Sequence, residues 1–196
     1  RMQIGVAVGI GLSDGGKPMG KQHKAGGYVV PHMATGRIPC GAEFLGGLHD
    51  FAVQLLLNED FPSWLYCVNL GATTIWERWN SYTLENGMGP NGMNSFNHYA
   101  YGCVCEWIWE TAAGISSDPA APGFKHIIMR PIPDKRLGHI TAEYNSAAGL
   151  IKSAWRYEGD KWIWEFTIPE GSTATVTLPG QTESKDYTAG TYTVEM

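Results

Sequence analysis

Two periodicities divide the chain. Apolar positions recur at helical spacing up to about residue 115, and from Phe124 onward they alternate with polar ones. Phe44, Leu45, Leu48, Phe51, Ala52, Leu55 and Leu56 predict a helix over 42–57, weakened near its front by Gly46-Gly47. Asn58-Glu59-Asp60 breaks that pattern. Pro62 suits the first turn of a second helix over 63–70, and Gly71 suits its C-terminal stop. Helix, short turn and helix together read as an αα-hairpin. Tyr82 to Asn94 is rich in Gly and Asn, contains Pro90, and reads as a loop. Ser95 then reads as the cap of a long helix ending near Gly114, with apolar residues round most of its circumference, so it is expected to be largely buried. Ahead of all this, Gln3 to Leu12 reads as the end of a buried helix, Ser13 to Gly27 as a polar loop, and Tyr28 to Gly41 as irregular around Pro31 and Pro39.

At Ser116 the composition changes, and residues 116–123, Ser-Ser-Asp-Pro-Ala-Ala-Pro-Gly, read as a linker. Beyond it, Ile127 to Met129, Ile140 to Tyr144, Ile151 to Tyr157, Trp162 to Ile168 and Ala174 to Leu178 carry strand patterning. Glu158-Gly159-Asp160-Lys161 is a hairpin turn, and Gly190 to Val194 reads as a last edge strand. Short antiparallel strands joined in this way make a β-sandwich. The expected fold class is therefore α+β: a helical part over 1–115, a linker over 116–123 and an antiparallel sandwich over 124–196. Trp155, Trp162 and Trp164 read as core or domain interface, with a sugar-binding stripe as the alternative.

Composition narrows the function classes. The 196 residues are 43% hydrophobic and 12% aromatic, enough for a globular core. A net charge of −5 leaves no basic footprint for nucleic acid or an acidic membrane surface. No run approaches the ~20 apolar residues of a membrane span. Ile4 to Leu12 is too short and too broken by Gly for a secretory leader. Gly9-x-Gly11 lacks the third glycine and the setting of a dinucleotide loop, and Lys17, Lys21 and Lys24 read as a solvated loop. Cys40, Cys67, Cys103 and Cys105 form no CxxC pair, and Cys103-x-Cys105 is too tight for a zinc ribbon. Three of the four sit in apolar stretches, and they read as free structural thiols, which points to a reducing, cytoplasmic compartment and to no metal or other cofactor.

The candidate chemistry lies in two segments, Gly71-Ala72-Thr73-Thr74-Ile75-Trp76-Glu77-Arg78-Trp79-Asn80 and Ser95-Phe96-Asn97-His98-Tyr99-Ala100-Tyr101-Gly102. The first sets the carboxylate of Glu77 between two indoles, Trp76 and Trp79. Aromatic planes stack on the apolar faces of sugar rings, and a carboxylate among them can take a proton from water. Ordinary helix-end packing with an exposed Glu77 is the alternative. Arg78 either holds a neighbouring carboxylate or points to solvent. His98 either hydrogen-bonds a sugar hydroxyl as a neutral imidazole or is a buried structural histidine. Glycoside hydrolysis commonly uses one ionised and one protonated carboxyl group, and Glu77 is the candidate for the ionised one. A different activity would draw its second carboxylate from Glu43, Glu106 or Glu110.

These two segments, preceded by Pro62-Ser63-Trp64-Leu65-Tyr66, resemble in order and spacing the C-terminal part of bacterial α-L-rhamnosidases, glycoside hydrolase family 78. Asp118-Pro119, Pro122-Gly123 and Pro131-Ile132-Pro133 fit that family's passage into a C-terminal sandwich. The resemblance runs from about Glu43 to the end and is strongest from Phe61 to Arg130. It implies an (α/α)6 barrel with β-domains around it and an inverting reaction on a rhamnose-containing glycoside or oligosaccharide. It places Glu77 as the general base, His98 on the bound rhamnose, and Trp76, Trp79 and Arg78 around the same pocket. A Thr-Gly motif is kept at Thr35-Gly36, but Arg37 to Gly41 departs from the family's continuation, and residues 13–33 match nothing expected there. No segment matches the acidic motif that carries the family's general acid. Six helical hairpins need on the order of three hundred residues, so the helical part is expected to be an incomplete barrel. Its bared face is expected to be covered by a second copy or another chain. A non-catalytic carbohydrate-binding or assembly module derived from such an enzyme is the alternative.

The thiol reading is directly measurable. Denatured protein is expected to titrate four thiols without reductant and to carry no stoichiometric zinc; one zinc per chain would overturn it.

Overall fold

A computed structural model describes residues 42–88 and 92–196, with side chains from His49 onward. The expected helix end over 3–12, the lysine loop, Thr35-Gly36, Cys40, the side chain of Glu43 and Pro90 lie outside the described residues. Helix α1, Ala42–Leu56, buries Val53 and Leu56 on one side and leaves Asp50, Phe51 and Gln54 to solvent. Helix α2, Trp64–Asn69, starts where Ser63 Oγ accepts the Tyr66 N–H at 3.0 Å. It stops at Gly71, whose φ of +90° only glycine adopts freely.

The third helical segment departs from expectation. It begins at Ala100 rather than Ser95, as a 3-10 turn over Ala100–Cys103 that leads into helix α3, Val104–Trp107, and a π turn over Ile108–Ala112. Ser95 cannot cap it, because its backbone is bonded to Glu77 instead. Nor is the segment largely buried. Ile108 and Ala112 join the core with Val53 and Leu56, while Cys103, Cys105, Glu106 and Glu110 face solvent. Of the described cysteines, only Cys67 packs as a small hydrophobe; Cys103 and Cys105 are exposed.

The rest is a sandwich of two four-stranded sheets. Its strands are β1 Ile115–Ser117, β2 His126–Met129, β3 His139–Ser146, β4 Gly149–Glu158, β5 Lys161–Ile168, β6 Thr173–Thr177, β7 Ser184–Tyr187 and β8 Gly190–Glu195. One sheet runs β3-β4-β5-β8 and is antiparallel throughout. The other runs β1-β2-β6-β7, and there β2 and β6 pair parallel, a correction to the all-antiparallel expectation. Parallel neighbours need a crossover connection; here the β3-β4-β5 meander in the opposite sheet supplies it. Ser116 and Ser117, expected in a linker, are strand residues paired with Ile128 and Ile127.

The sandwich core is aromatic. Trp155, Trp164 and Phe166 are almost wholly inaccessible, and Trp162 is buried beside them. All three tryptophans therefore belong to the core rather than to a surface stripe. Truncating a core Trp to Ala costs about 3–5 kcal/mol in comparable sites.

Two contacts fix the helical part on this core. Arg136 bridges Asp50 of α1 at 2.7 Å and Asp134 at 2.6 Å, and its bonds to Asp134 hold that carboxyl below the usual range. His49 lies tilted against Trp107 with ring centroids 5.5 Å apart, and burial lowers its pKa below the usual histidine value. The second contact is at the end of the π turn. The carbonyls of Thr111, Ala112, Ala113 and Gly114 accept, in turn, from the Ile132 N–H, the Trp155 indole, the Ser153 hydroxyl and the Arg130 N–H, at 2.9, 2.8, 2.6 and 2.8 Å. No helix among the described residues is long and apolar enough to cross a membrane.

Gly114 makes this junction possible, because a Cβ there would sit 2.1 Å from the Pro131 nitrogen on a backbone with φ of +75°. Gly114→Ala is expected to cost about 3 kcal/mol of stability, measured by urea denaturation; a loss too small to resolve would mean that the junction can open without penalty.

Candidate active site

Gly71 ends α2 and turns the chain back over it. The Ala72 N–H donates to the Cys67 carbonyl at 3.0 Å, and Cys67 Sγ donates to the Trp79 carbonyl at 3.4 Å. Residues 72–80 therefore form an irregular stretch laid across α2. Residues 92–99 return beside it, and the two are joined by backbone bonds. Glu77 N–H donates to the Ser95 carbonyl at 2.8 Å, and His98 N–H donates to the Ile75 carbonyl at 2.8 Å. The Thr74 hydroxyl adds a bond to the Phe96 carbonyl. Ser81, buried at the base of the intervening loop, receives the Arg78 N–H at 3.1 Å and donates to Asn94 Oδ1 at 2.6 Å. Asn94 Nδ2 donates back to the Ser81 carbonyl at 3.0 Å.

The half-buried carboxylate of Glu77 accepts the Ser95 N–H on Oε2 at 2.7 Å. That bond holds the group in place and leaves Oε1 without a partner among the described residues. His98 is half-buried, its Nδ1 accepts the Ala100 N–H at 3.3 Å, and its ring lies parallel to Tyr99 with centroids 5.4 Å apart. With Nδ1 acting as acceptor, the proton of a neutral imidazole is on Nε2, ready to donate outward.

Trp76, Arg78 and Trp79, the sequence neighbours of Glu77, do not share one environment. Trp76 is buried, edge-on to Phe96 and to Tyr82 at centroid distances of 5.5 and 6.3 Å. Trp79 is half-buried, stacked on Tyr101 at 4.0 Å and 14°, and edge-on to Trp64 at 5.3 Å. The Trp64 indole donates to the Tyr101 carbonyl at 2.9 Å, tying α2 to the start of the third helical segment. The guanidinium of Arg78 donates to the Met93 carbonyl, and it makes no ion pair with a carboxylate among the described residues.

The structure thus brings Glu77, Arg78 and Trp79 together with the segment that carries His98. Glu106 and Glu110 lie on the exposed side of residues 100–112, and no bond joins either of them to Glu77. Burial and then the neighbouring Glu106 raise the pKa of Glu110. Reading the sequence missed Ser81, Asn94 and the role of Ser95. A Ser before an apolar run signals a helix cap, and nothing in that pattern announces a distant carboxylate competing for its N–H. Among the described residues no three His, Cys, Asp or Glu side chains are grouped to hold a metal ion.

Comparison with known proteins adds to this geometry. Residues 31–112 match the bacterial alpha-L-rhamnosidase 6 hairpin glycosidase domain, and residues 114–192 match the bacterial alpha-L-rhamnosidase C-terminal domain. An alpha-L-rhamnosidase of Formosa agariphila is 41% identical over 152 residues, covering 76% of this chain and 16% of that protein. One from an Alteromonas strain is 42% identical over 142 residues, covering 70% of this chain and 15% of that protein. The crystal structure of the Streptomyces avermitilis alpha-L-rhamnosidase complexed with L-rhamnose superposes with a TM-score of 0.67 at 29% identity, over 76% of this chain and 16% of that one. The chain therefore spans about a sixth of the length of these relatives.

The Glu77–Ser95 bond separates two substitutions. Glu77→Gln keeps an oxygen to accept the Ser95 N–H, whereas Glu77→Ala leaves that N–H unpaired. Glu77→Ala is expected to be less stable than Glu77→Gln by about 1 kcal/mol, measured by thermal or urea unfolding. Equal stability of the two would show that the bond does not hold the segments together.

Proposed function

Because this chain belongs to the bacterial α-L-rhamnosidase family, we propose that it carries the general-base side of an inverting glycosidase site that releases terminal α-L-rhamnose from glycosides. The observation that supports this most is the state of the Glu77 carboxylate. One oxygen is pinned by the Ser95 N–H, and the other has no partner among the described residues. A carboxylate held in this way can orient a water molecule and take its proton as the oxygen attacks the anomeric carbon. His98 donates from Nε2 to a hydroxyl of the bound rhamnose. Trp79, backed by Tyr101, offers an aromatic edge to the sugar, and the remaining N–H groups of Arg78 serve a second hydroxyl. Trp76 acts from beneath, as the buried ring on which both segments pack.

The proton for the departing oxygen comes from a second carboxyl group. In inverting enzymes that group stands roughly 6.5–9.5 Å from the base, leaving room for the water between them. Exposed Phe51, Phe61 and Val68 mark the face of the helical part that a second copy or another chain would cover.

In an active form containing these residues, Glu77→Gln is expected to cut turnover of an aryl α-L-rhamnoside at least about a hundredfold while L-rhamnose binding survives. Near-normal turnover would remove Glu77 from the mechanism. His98→Ala is expected to weaken rhamnose binding by about 1–3 kcal/mol with little change in folding, whereas lost stability at unchanged affinity would make the histidine structural.

A further inference from the structure

The helical segment over 100–112 is held at both ends, and the two attachments belong to different parts of the molecule. At its start, His98 N–H donates to the Ile75 carbonyl at 2.8 Å, and the Tyr101 carbonyl receives the Trp64 indole at 2.9 Å. This end carries the candidate site. At its finish, Ser153 donates to the Ala113 carbonyl at 2.6 Å and Trp155 donates to the Ala112 carbonyl at 2.8 Å. Trp164, in turn, donates to Ser153 Oγ at 2.9 Å, so the hydroxyl is aimed by a second buried indole. Ser153, Trp155 and Trp164 are 0, 2 and 0% exposed, so no water can stand in for a lost partner there.

The geometry points to Ser153 and Trp155 as positioning residues for the Glu77–His98 site, acting through residues 100–112 across about 20 Å. The inference rests on reading Glu77 and His98 as the site. The last carbonyls of a helix ordinarily lack partners and fray. Here the outer two, of Thr111 and Gly114, take backbone N–H groups of Ile132 and Arg130, and the middle two, of Ala112 and Ala113, are fixed by two side chains of β4, whose position is set in turn by the sandwich core. The Ile108–Ala112 turn is π-helical, closed by the Ala113 N–H on the Ile108 carbonyl at 2.8 Å, and it has no neighbouring turn of the same kind to support it. Without the Ser153 and Trp155 bonds it can relax toward ordinary helix. That relaxation rotates and shifts the segment as far as Ala100 and, beyond it, His98, which is bonded to the irregular stretch that carries Glu77. A misplacement of about 1 Å at reacting groups can cost about a hundredfold in rate, so a sandwich far from the sugar bears on the chemistry by holding this register.

The test uses hydrogen–deuterium exchange on the whole chain, which needs no activity and so stays informative even if Glu77 proves not to be the base. Ser153→Ala removes the hydroxyl, and Trp155→Phe removes the indole N–H while keeping most of the ring; the second serves if the first does not fold. Val176→Ala is the control, since it opens a cavity in the same core from β6, which makes no hydrogen bond to residues 100–114 among the described residues. The amides of His98 and Glu77 are expected to exchange at least about tenfold faster in the two test variants than in the control, at matched loss of melting temperature. Strands β3 to β5 should keep their protection. In an active form, kcat should fall about tenfold or more with KM for the aryl rhamnoside nearly unchanged. If His98 and Glu77 exchange no faster than in Val176→Ala, Ser153 and Trp155 only stabilise the sandwich and the inference fails.

Discussion

Everything in this molecule turns on four carbonyls. Thr111, Ala112, Ala113 and Gly114 end the helical segment inside the protein, at a depth where water does not reach Ala112, Ala113 or Gly114. A buried carbonyl without a donor costs about 1–3 kcal/mol, so four of them together would outweigh much of a small domain's margin. The sandwich supplies all four donors, two from the 130–132 turn and two from β4. That match admits one register of helix against sheet. It also demands the left-handed conformation at Gly114, where the chain must pass within van der Waals reach of Pro131.

The site is built by the same accounting. Residues 72–80 and 92–99 contain no helix and no strand, yet their backbone groups still require partners. They find them in each other, through Glu77 to Ser95 and Ile75 to His98, and in Ser81 and Asn94 at the base of the loop. Regular structure would have satisfied these groups without help from side chains. Irregular structure leaves Glu77 in a position that neither a helix nor a sheet provides, with one carboxylate oxygen tied down and the other without a partner among the described residues. The buried ring of Trp76 supplies the apolar contact that makes so irregular a stretch stable.

Much of this was legible in the chain. The period-two runs gave β2 to β6 and β8 within a few residues, and the Gly71 and Gly114 stops were placed correctly because glycine's tolerance of positive φ is a local property. What escaped notice was non-local. Strand β1 has three residues, too few for a period to register, and β7 reads Ser-Lys-Asp-Tyr, an edge with little apolar content. The parallel β2–β6 pair depends on which sheet the intervening meander joins, and that no window of sequence records. Ser95 has the neighbours of a helix cap, while its actual partner lies 18 positions earlier. Cys103 and Cys105 look apolar by context but sit on the side of the segment that α1 and the sandwich do not cover.

The two carboxyl groups of an inverting glycosidase have different structural needs, and on the proposed reading this stretch serves only one of them. The base must be ionised, aimed at a water and fixed by donors. On the proposed reading the fixing of Glu77 falls to residues between Trp64 and Tyr101, with the sandwich behind them, and the Ser95 N–H holds one of its carboxylate oxygens. The acid must keep its proton near neutral pH, which calls for burial or a like charge close by. Among the described residues nothing of that kind adjoins Glu77. The glutamate pushed toward the protonated form is Glu110, and its causes are burial and Glu106, on the far stretch of the helical segment. Base and acid are thus separable in the fold, the first resting on loop-to-loop bonds anchored by a sandwich, the second on an environment that this framework does not create.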